Sequence, residues 1–213
     1  PLVVVLINGR PASTVVIAEQ ANALVEAWYL GEQGGNAMAD MLFGDINPGG
    51  KLPVTVPRSV GQLPMIYSRK PSARRGYLFG TTDPLFPFGW GLSYTKFEIS
   101  EPRLSSTNIA TNDTVKVIVD VHNTGDRAGD EVVQVYVHDK LASVTRPIKL
   151  LKGFKRVTLA AGERRTLEFT LGPDEFSYWN ARMQRIVEPG LFDIMVGPNS
   201  VDLKTVVLEI GQS

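Results

Sequence analysis

The chain has 213 residues, 43% hydrophobic and 21% charged, the ordinary balance of one large or two small globular domains. Lys+Arg and Asp+Glu are equal at 22, so a nucleic-acid partner, whose phosphates call for a basic excess, is not expected. The absence of cysteine excludes disulfides and thiolate metal sites, two histidines make a His-rich metal site an unlikely expectation, and no apolar run reaches the about 18–20 residues of a membrane span.

Leu2 to Ile7 is a continuous apolar run, the pattern of a parallel strand covered on both faces. A chain that opens in mid-strand is expected to be a piece of a longer protein, with any signal peptide outside it. Asn8-Gly9-Arg10-Pro11 ends the strand. Ser13 or Thr14 is placed to cap a short helix reaching about Asn22, with Val16, Ile17 and Ala21 facing inward. Ala23 to Tyr29 reads as a second strand, which makes a right-handed parallel β-α-β unit. Gly34 to Phe43 carries Ala37, Met38, Met41 and Leu42 at helical spacing, with Gly44 as C-cap. After the turn Asn47-Pro48-Gly49-Gly50, Lys51 to Val56 reads as a third strand, at an edge because of Pro53 and Pro57.

Periodicity vanishes from Arg58 to Asp83, a length that marks functional or mobile loops. Pro84 to Tyr94, aromatic and glycine-punctuated, is expected to anchor one domain to the next. Alternation then begins. Val115, Val117, Val119 and Val121 are followed by Val133, Val135 and Val137, by Leu167, Phe169 and Leu171, by Phe192, Ile194 and Val196, and by Val206, Leu208 and Ile210. About seven such strands, each with one apolar face, predict an antiparallel sandwich of immunoglobulin or fibronectin type III kind. The expected fold is therefore an α/β fragment followed by an all-β sandwich. The divisions are 1–57, a long loop and linker at 58–96, and the sandwich at 97–213. Three strands and two short helices cannot enclose a core alone.

The turn Gly31-Glu32-Gln33-Gly34-Gly35 lies between a strand and a helix, where free N–H groups attract anions. It lacks both G-x-G-x-x-G and the Lys-Ser/Thr pair of a phosphate loop. Glu32 either interacts with the helix start or lines the crevice beyond the strand ends. Trp28 and Tyr29 either stack on a sugar ring or are core or interface residues. Arg69, Lys70, Arg74 and Arg75, with Tyr67 and Tyr77 nearby, read as a solvated loop or an inter-domain ion-pair anchor. His122 and His138, flanking a turn, read as sandwich surface, because catalysis needs a nearby carboxylate and a cleft. Asn112-Asp113-Thr114 fits the glycosylation pattern, which is frequent by chance.

Together these residues resemble the C-terminal part of glycoside hydrolase family 3, the β-glucosidase type. The signature runs through AWYLGEQGGNAMADMLFGDINPGGKLPVTVP at 27–57, QLP at 62–64 and DPLFPFGWGLSYTKFE at 83–98. It continues in VHNTGDRAGDEVVQVYV at 121–137, SVTRPIKLLKGFKRV at 143–157 and VEPGLFDIMVG at 187–197. The resemblance implies a retaining glycosidase acting on terminal β-linked glucosyl units through two carboxylates, without a cofactor. It also implies that the nucleophilic Asp lies in an N-terminal barrel, and that the acid/base Glu lies upstream of the strand matched by Leu2 to Ile7. No family catalytic residue maps onto this sequence, and Glu32 and Trp28 stay as crevice candidates. The implied partners are the N-terminal barrel and sandwich portion, and a β-glucoside or oligosaccharide; oligomers stay open, and a periplasmic or secreted location is favoured. The rival is a stand-alone carbohydrate-binding or adhesion module, which would need a self-contained core and an exposed aromatic platform.

Overall fold

The computed structural model describes residues 1–73, 76 and 80–211. Arg74, Arg75 and Tyr77 of the basic cluster lie outside the described residues. In chain order the elements are β1 (Val3–Leu6), α1 (Val15–Gln20), β2 (Ala23–Glu26) and α2 (Gly34–Phe43). There follow β3 (Phe97–Ile99), β4 (Arg103–Leu104), β5 (Asn108–Ala110), β6 (Val115–Asn123), β7 (Gly129–Asp139), β8 (Leu150–Leu159) and β9 (Arg164–Leu171). Last come α3 (Pro173–Phe176), β10 (Tyr178–Trp179), β11 (Arg185–Ile186), β12 (Gly190–Gly197) and β13 (Lys204–Gly211).

β1 and β2 pair in parallel around α1, as the apolar runs predict. They are not covered on both faces: no side chain of β1, α1 or β2 is buried. Thr14 occupies the N-cap of α1 without a side-chain hydrogen bond, and Val16 faces solvent rather than inward. β2 stops at Glu26, three residues short of Tyr29. The chain leaves the strand by turning through Trp28, whose φ is 54°. α2 ends at Gly44 in the left-handed region, and the Asp45 N–H donates to Asp40 O (2.8 Å). Met41 is its one buried side chain, while Phe43 is 85% exposed.

The predicted strand at Lys51 to Val56 does not form. Pro53 and Pro57 have no N–H to give a ladder. The segment meets the linker only where donors exist: Leu52 with Trp90 and Gly89, and Val56 with Phe86 in a single antiparallel bridge.

The sandwich forms as its alternation predicts, with one sheet ordered β5-β13-β12-β7-β8 and a second in which β3, β4 and β9 flank β6. Val115 to Val121 of β6 interlock with Val133 to Val137 of β7, Phe192 to Val196 of β12 and Leu208 and Ile210 of β13 in one core. His122 and His138 sit on β6 and β7, which are consecutive in the chain but belong to different sheets. β7 departs from one-face burial, since Gln134 and Tyr136 point away from that core and are buried too. Their cover is the linker. The Gln134 amide donates to Gly89 O (3.3 Å) and Pro198 O (2.6 Å), and its oxygen accepts the Tyr136 hydroxyl (2.6 Å). Tyr67 stacks on Phe88 (4.4 Å between centroids), meets Tyr136 edge-on (5.7 Å), and accepts the Leu151 N–H (3.3 Å). Gly89 has φ +79°, and a Cβ there would collide with the Gln134 amide.

The α/β segment reaches the sandwich through Asn47 and Lys51. Asn47 donates to Ala128 O (3.1 Å) and accepts from Tyr94 N–H (2.8 Å) and the Ser93 hydroxyl (3.0 Å). Lys51 Nζ lies 2.7 Å from Glu131 Oε1, with both side chains largely buried. A half-removed buried pair strands a charge in low dielectric, so Lys51→Met is expected to cost about 3–5 kcal/mol in urea unfolding. The double change Lys51→Met/Glu131→Leu is expected to recover most of that loss. A single variant as stable as the parent would show that the pair contributes nothing to the junction.

Candidate functional site

The crevice side of a parallel sheet lies beyond the C-terminal ends of its strands. In this chain that edge collects Asn8 and Gly9 after β1, and Glu26, Trp28 and Tyr29 at and after β2. The Glu26 carboxylate bridges the two strand ends: Oε1 accepts the Trp28 N–H (3.2 Å) and Oε2 accepts the Asn8 amide (3.4 Å). A left-handed φ at a bulky aromatic residue is strained, and the bond to Glu26 holds Trp28 in it. Trp28 is half-buried; Tyr29 is exposed and lies against Gly9, where a Cβ would stand 2.6 Å from its ring.

Glu32 sits in the same loop but touches none of these. It is exposed, and among the described residues it has no hydrogen bond or ion pair. It does not cap α2: the N-cap is Gln33, whose side-chain oxygen accepts the Asn36 amide (2.6 Å), and no side chain caps the backbone N–H groups of the helix start. The tight turn is instead set by Gly34, whose N–H donates to Gly31 O (2.9 Å) and where a Cβ would collide with Leu30. The edge thus groups Trp28 with Glu26 and Asn8 and leaves Glu32 apart. Glu26 was readable in the sequence, as the only charge in the run ALVEAWYL.

Two other cavities bear on acid–base chemistry. One of about 600 Å³ lies in the long loop, walled by Gln62, Leu63, Met65, Ile66, Arg69 and Lys70 among others, with no carboxylate. Among the described residues Arg69 makes no ion pair; its carbonyl accepts the Ile148 N–H (2.9 Å) and Tyr67 accepts the Leu151 N–H, so this loop is tied to the sandwich at both residues. The second, of about 290 Å³, has Glu131 and Asp202 in its wall, but Lys51 holds the first and the Asn199 amide (2.7 Å) the second.

At the far end of the sandwich, beyond β7, charged groups crowd together. The Arg146 guanidinium lies 4.3 Å over the Tyr178 ring. Tyr178 OH is 3.0 Å from Ser143 Oγ, and Glu188 accepts the Ser143 N–H (2.9 Å). The Ser143 and Tyr178 hydroxyls beside it, with the Ser143 N–H, hold the Glu188 carboxyl below its usual range. Asp139 is only 6% exposed; Oδ1 accepts the Leu141 N–H (3.2 Å) and Oδ2 is unpartnered. Burial pushes its carboxyl up, against the pull of that bond and of Arg146. Its bond to Leu141 and those of Glu188 and Tyr178 to Ser143 brace the loop after β7.

The family model for the glycosyl hydrolase family 3 C-terminal domain matches residues 1–94, and that for the fibronectin type III-like domain matches 131–200. The chain belongs to glycoside hydrolase family 3, in its C-terminal part. It is 51% identical to a β-xylosidase of Formosa agariphila, over 99% of this chain and 30% of that protein. It is 45% identical to a periplasmic β-glucosidase of Salmonella typhimurium, over 96% of this chain and 28% of that protein. Its fold superposes on the solved β-glucosidase of Erythrobacter marinus with a TM-score of 0.96 at 50% identity, covering 98% of this chain and 28% of that one. The family 3 chain thus spans less than a third of each relative.

Two outcomes test this geometry. Glu26→Ala is expected to speed hydrogen exchange at the Trp28 amide at least about tenfold, while Glu26→Gln, which keeps an acceptor, preserves protection; equal exchange in all three would remove Glu26 as the brace. For Asp139 the folded acid holds its proton more tightly than the unfolded one, so its ionisation costs stability as pH rises from about 4. Asp139→Asn is expected to raise the urea midpoint at pH 7, with the gain vanishing toward about pH 4. A lower midpoint at pH 7 would mean that Arg146 compensates the charge.

Proposed function

We propose that this chain is the C-terminal scaffold of a longer retaining β-glycosidase that releases terminal β-linked glucosyl residues. The supporting observation is the match of nearly the whole chain to under a third of several β-glucosidases and β-xylosidases. Retaining hydrolysis needs two carboxylates about 5 Å apart, one attacking the anomeric carbon and one acting as acid and then base. In this reading both come from the upstream barrel and α/β portion. Residues 1–57 complete that α/β domain, 58–96 tie it down, and 97–213 form the sandwich. The exposed apolar side chains of β1, α1 and α2, among them Val3, Val16, Leu42 and Phe43, are the surface that the upstream portion covers. Trp28 and Glu32 line the crevice at its edge, and Glu26 braces Trp28. No cofactor is required.

The 51% identity to a β-xylosidase favours a second reading in which the sugar is xylose. Chromogenic aryl β-D-glucoside and β-D-xyloside assays separate the two. The full-length protein is expected to hydrolyse the glucoside faster and this chain alone to hydrolyse neither. Turnover by the 213-residue chain alone would overturn the placement of the carboxylates upstream. A faster rate on the xyloside would replace glucose by xylose.

A further inference from the structure

Of the three tryptophans, Trp28 and Trp90 are half-buried, whereas Trp179 is 61% exposed. An indole left in water is an uncommon use of a large apolar side chain, and its setting is built rather than incidental. β10 pairs with β11 so that Tyr178 faces Ile186 and Trp179 faces Arg185. Alternation along the strand sends Tyr178 into the protein and Trp179 out of it. The inward partner is fixed by Arg146 over its ring and Ser143 at its hydroxyl. The connecting loop is closed by Asn180, whose side-chain oxygen accepts the Arg182 N–H (2.9 Å) and the Gln184 N–H (3.0 Å). The indole is therefore presented by a braced hairpin.

Its neighbour is equally fixed. Arg185 stands directly across the strand pair, on the same outward face. Its guanidinium pairs with the Asp174 carboxylate (2.8 Å) and donates to Asp174 O (3.3 Å). The result is a flat apolar ring beside a water-facing guanidinium–carboxylate pair. We propose that this face binds a linear β-linked glucan. The indole stacks on the C–H face of one pyranose, and Arg185 and Asp174 exchange hydrogen bonds with its hydroxyls.

A protein partner fits less well. Interface cores are contiguous and depleted of charge. Here the exposed large apolar side chains of the hairpin are Trp179 and Met183, and charged Arg182 and Arg185 belong to the same hairpin. A sugar ring needs only one such face with hydrogen-bonding groups at its border. Position also suits a polymer. From the Lys51–Glu131 junction β7 runs on to Asp139 and the loop that supports the hairpin, about 27 Å of strand. The choice of a β-glucan rests on the glycosidase reading; the platform does not.

The test is affinity electrophoresis of the protein in native gels containing soluble mixed-linkage β-glucan. The wild type is expected to be retarded, Trp179→Phe partly so, and Trp179→Ala to bind at least about tenfold more weakly. The thermal midpoint of Trp179→Ala should match the wild type, because the ring is exposed. Equal retardation of wild type and Trp179→Ala, or none in either, overturns the proposal. So does a change in sedimentation of Trp179→Ala without any change in glucan binding, which would make the indole a protein contact. Aryl-glucoside hydrolysis does not report on Trp179, so failure of the glycosidase reading is seen in that assay and failure of the platform in the gel.

Discussion

The interaction on which the arrangement depends is the burial of Gln134 on the outer face of β7. An amide in the interior must find partners for its donors and its oxygen, or it costs more than it contributes. Gln134 finds them in three separate pieces of chain: Gly89 of the linker, Pro198 after β12 and Tyr136 of its own strand. Because those partners are specific, the linker cannot slide along the sheet. The stack of Tyr67 on Phe88 and Tyr136 adds apolar area around the same point. A sandwich strand that would otherwise carry one wet face becomes buried on both, and a segment without periodic secondary structure becomes ordered.

The α/β segment takes its order from that linker. Its parallel strands have no buried side chain of their own, and a parallel pair is stable only when both faces are covered. What holds the segment among the described residues is a set of polar ties. Asn47 binds the turn before β7 and the Ser93–Tyr94 corner, Tyr94 OH donates to Met41 O (2.8 Å), and Lys51 reaches Glu131. The sandwich has a buried core of its own. Asn123, fully buried at the end of β6, has its amide on Arg127 O and Leu159 O and its oxygen on Thr95 and Gly125. That polar group, beside a continuous valine core, is satisfied by the sandwich itself and, through Thr95, by the linker.

How much of this was legible follows the same division. Alternation revealed β6, β7, β9, β12 and β13, because a strand with one dry face writes period two into the sequence. β8 was invisible to that test: Lys152 is the extra residue of a bulge opposite Val135 and Tyr136, and Phe154 faces solvent. Lys51 to Val56 looked like a strand because its residues are apolar, but its prolines remove the donors that a ladder needs. The linker's role was hidden because covering a sheet face requires no period at all. At the crevice edge, the strand ends placed Trp28 and Glu32 in one loop, yet the contact that orients Trp28 comes from Glu26. Proximity across strands is not written in spacing along the chain.

The two ends of β7 show opposite uses of charge. At the junction, Lys51 and Glu131 neutralise each other in a nearly dry site. At the far end, Asp139 is buried with one oxygen unpartnered, so its ionisation costs folding free energy, while Arg146 lies over the Tyr178 ring. Such a cost persists where the surroundings over-determine a geometry. What Arg146, Ser143, Tyr178 and Glu188 over-determine is the seat of the β10–β11 hairpin, whose outward side carries Trp179. The bonds that brace this end hold an exposed aromatic face in place, and preorganisation of that kind lowers the entropy lost when a ligand docks. The sandwich is thus a spacer with two different ends, one made for docking to its own chain and one held stiff toward solvent.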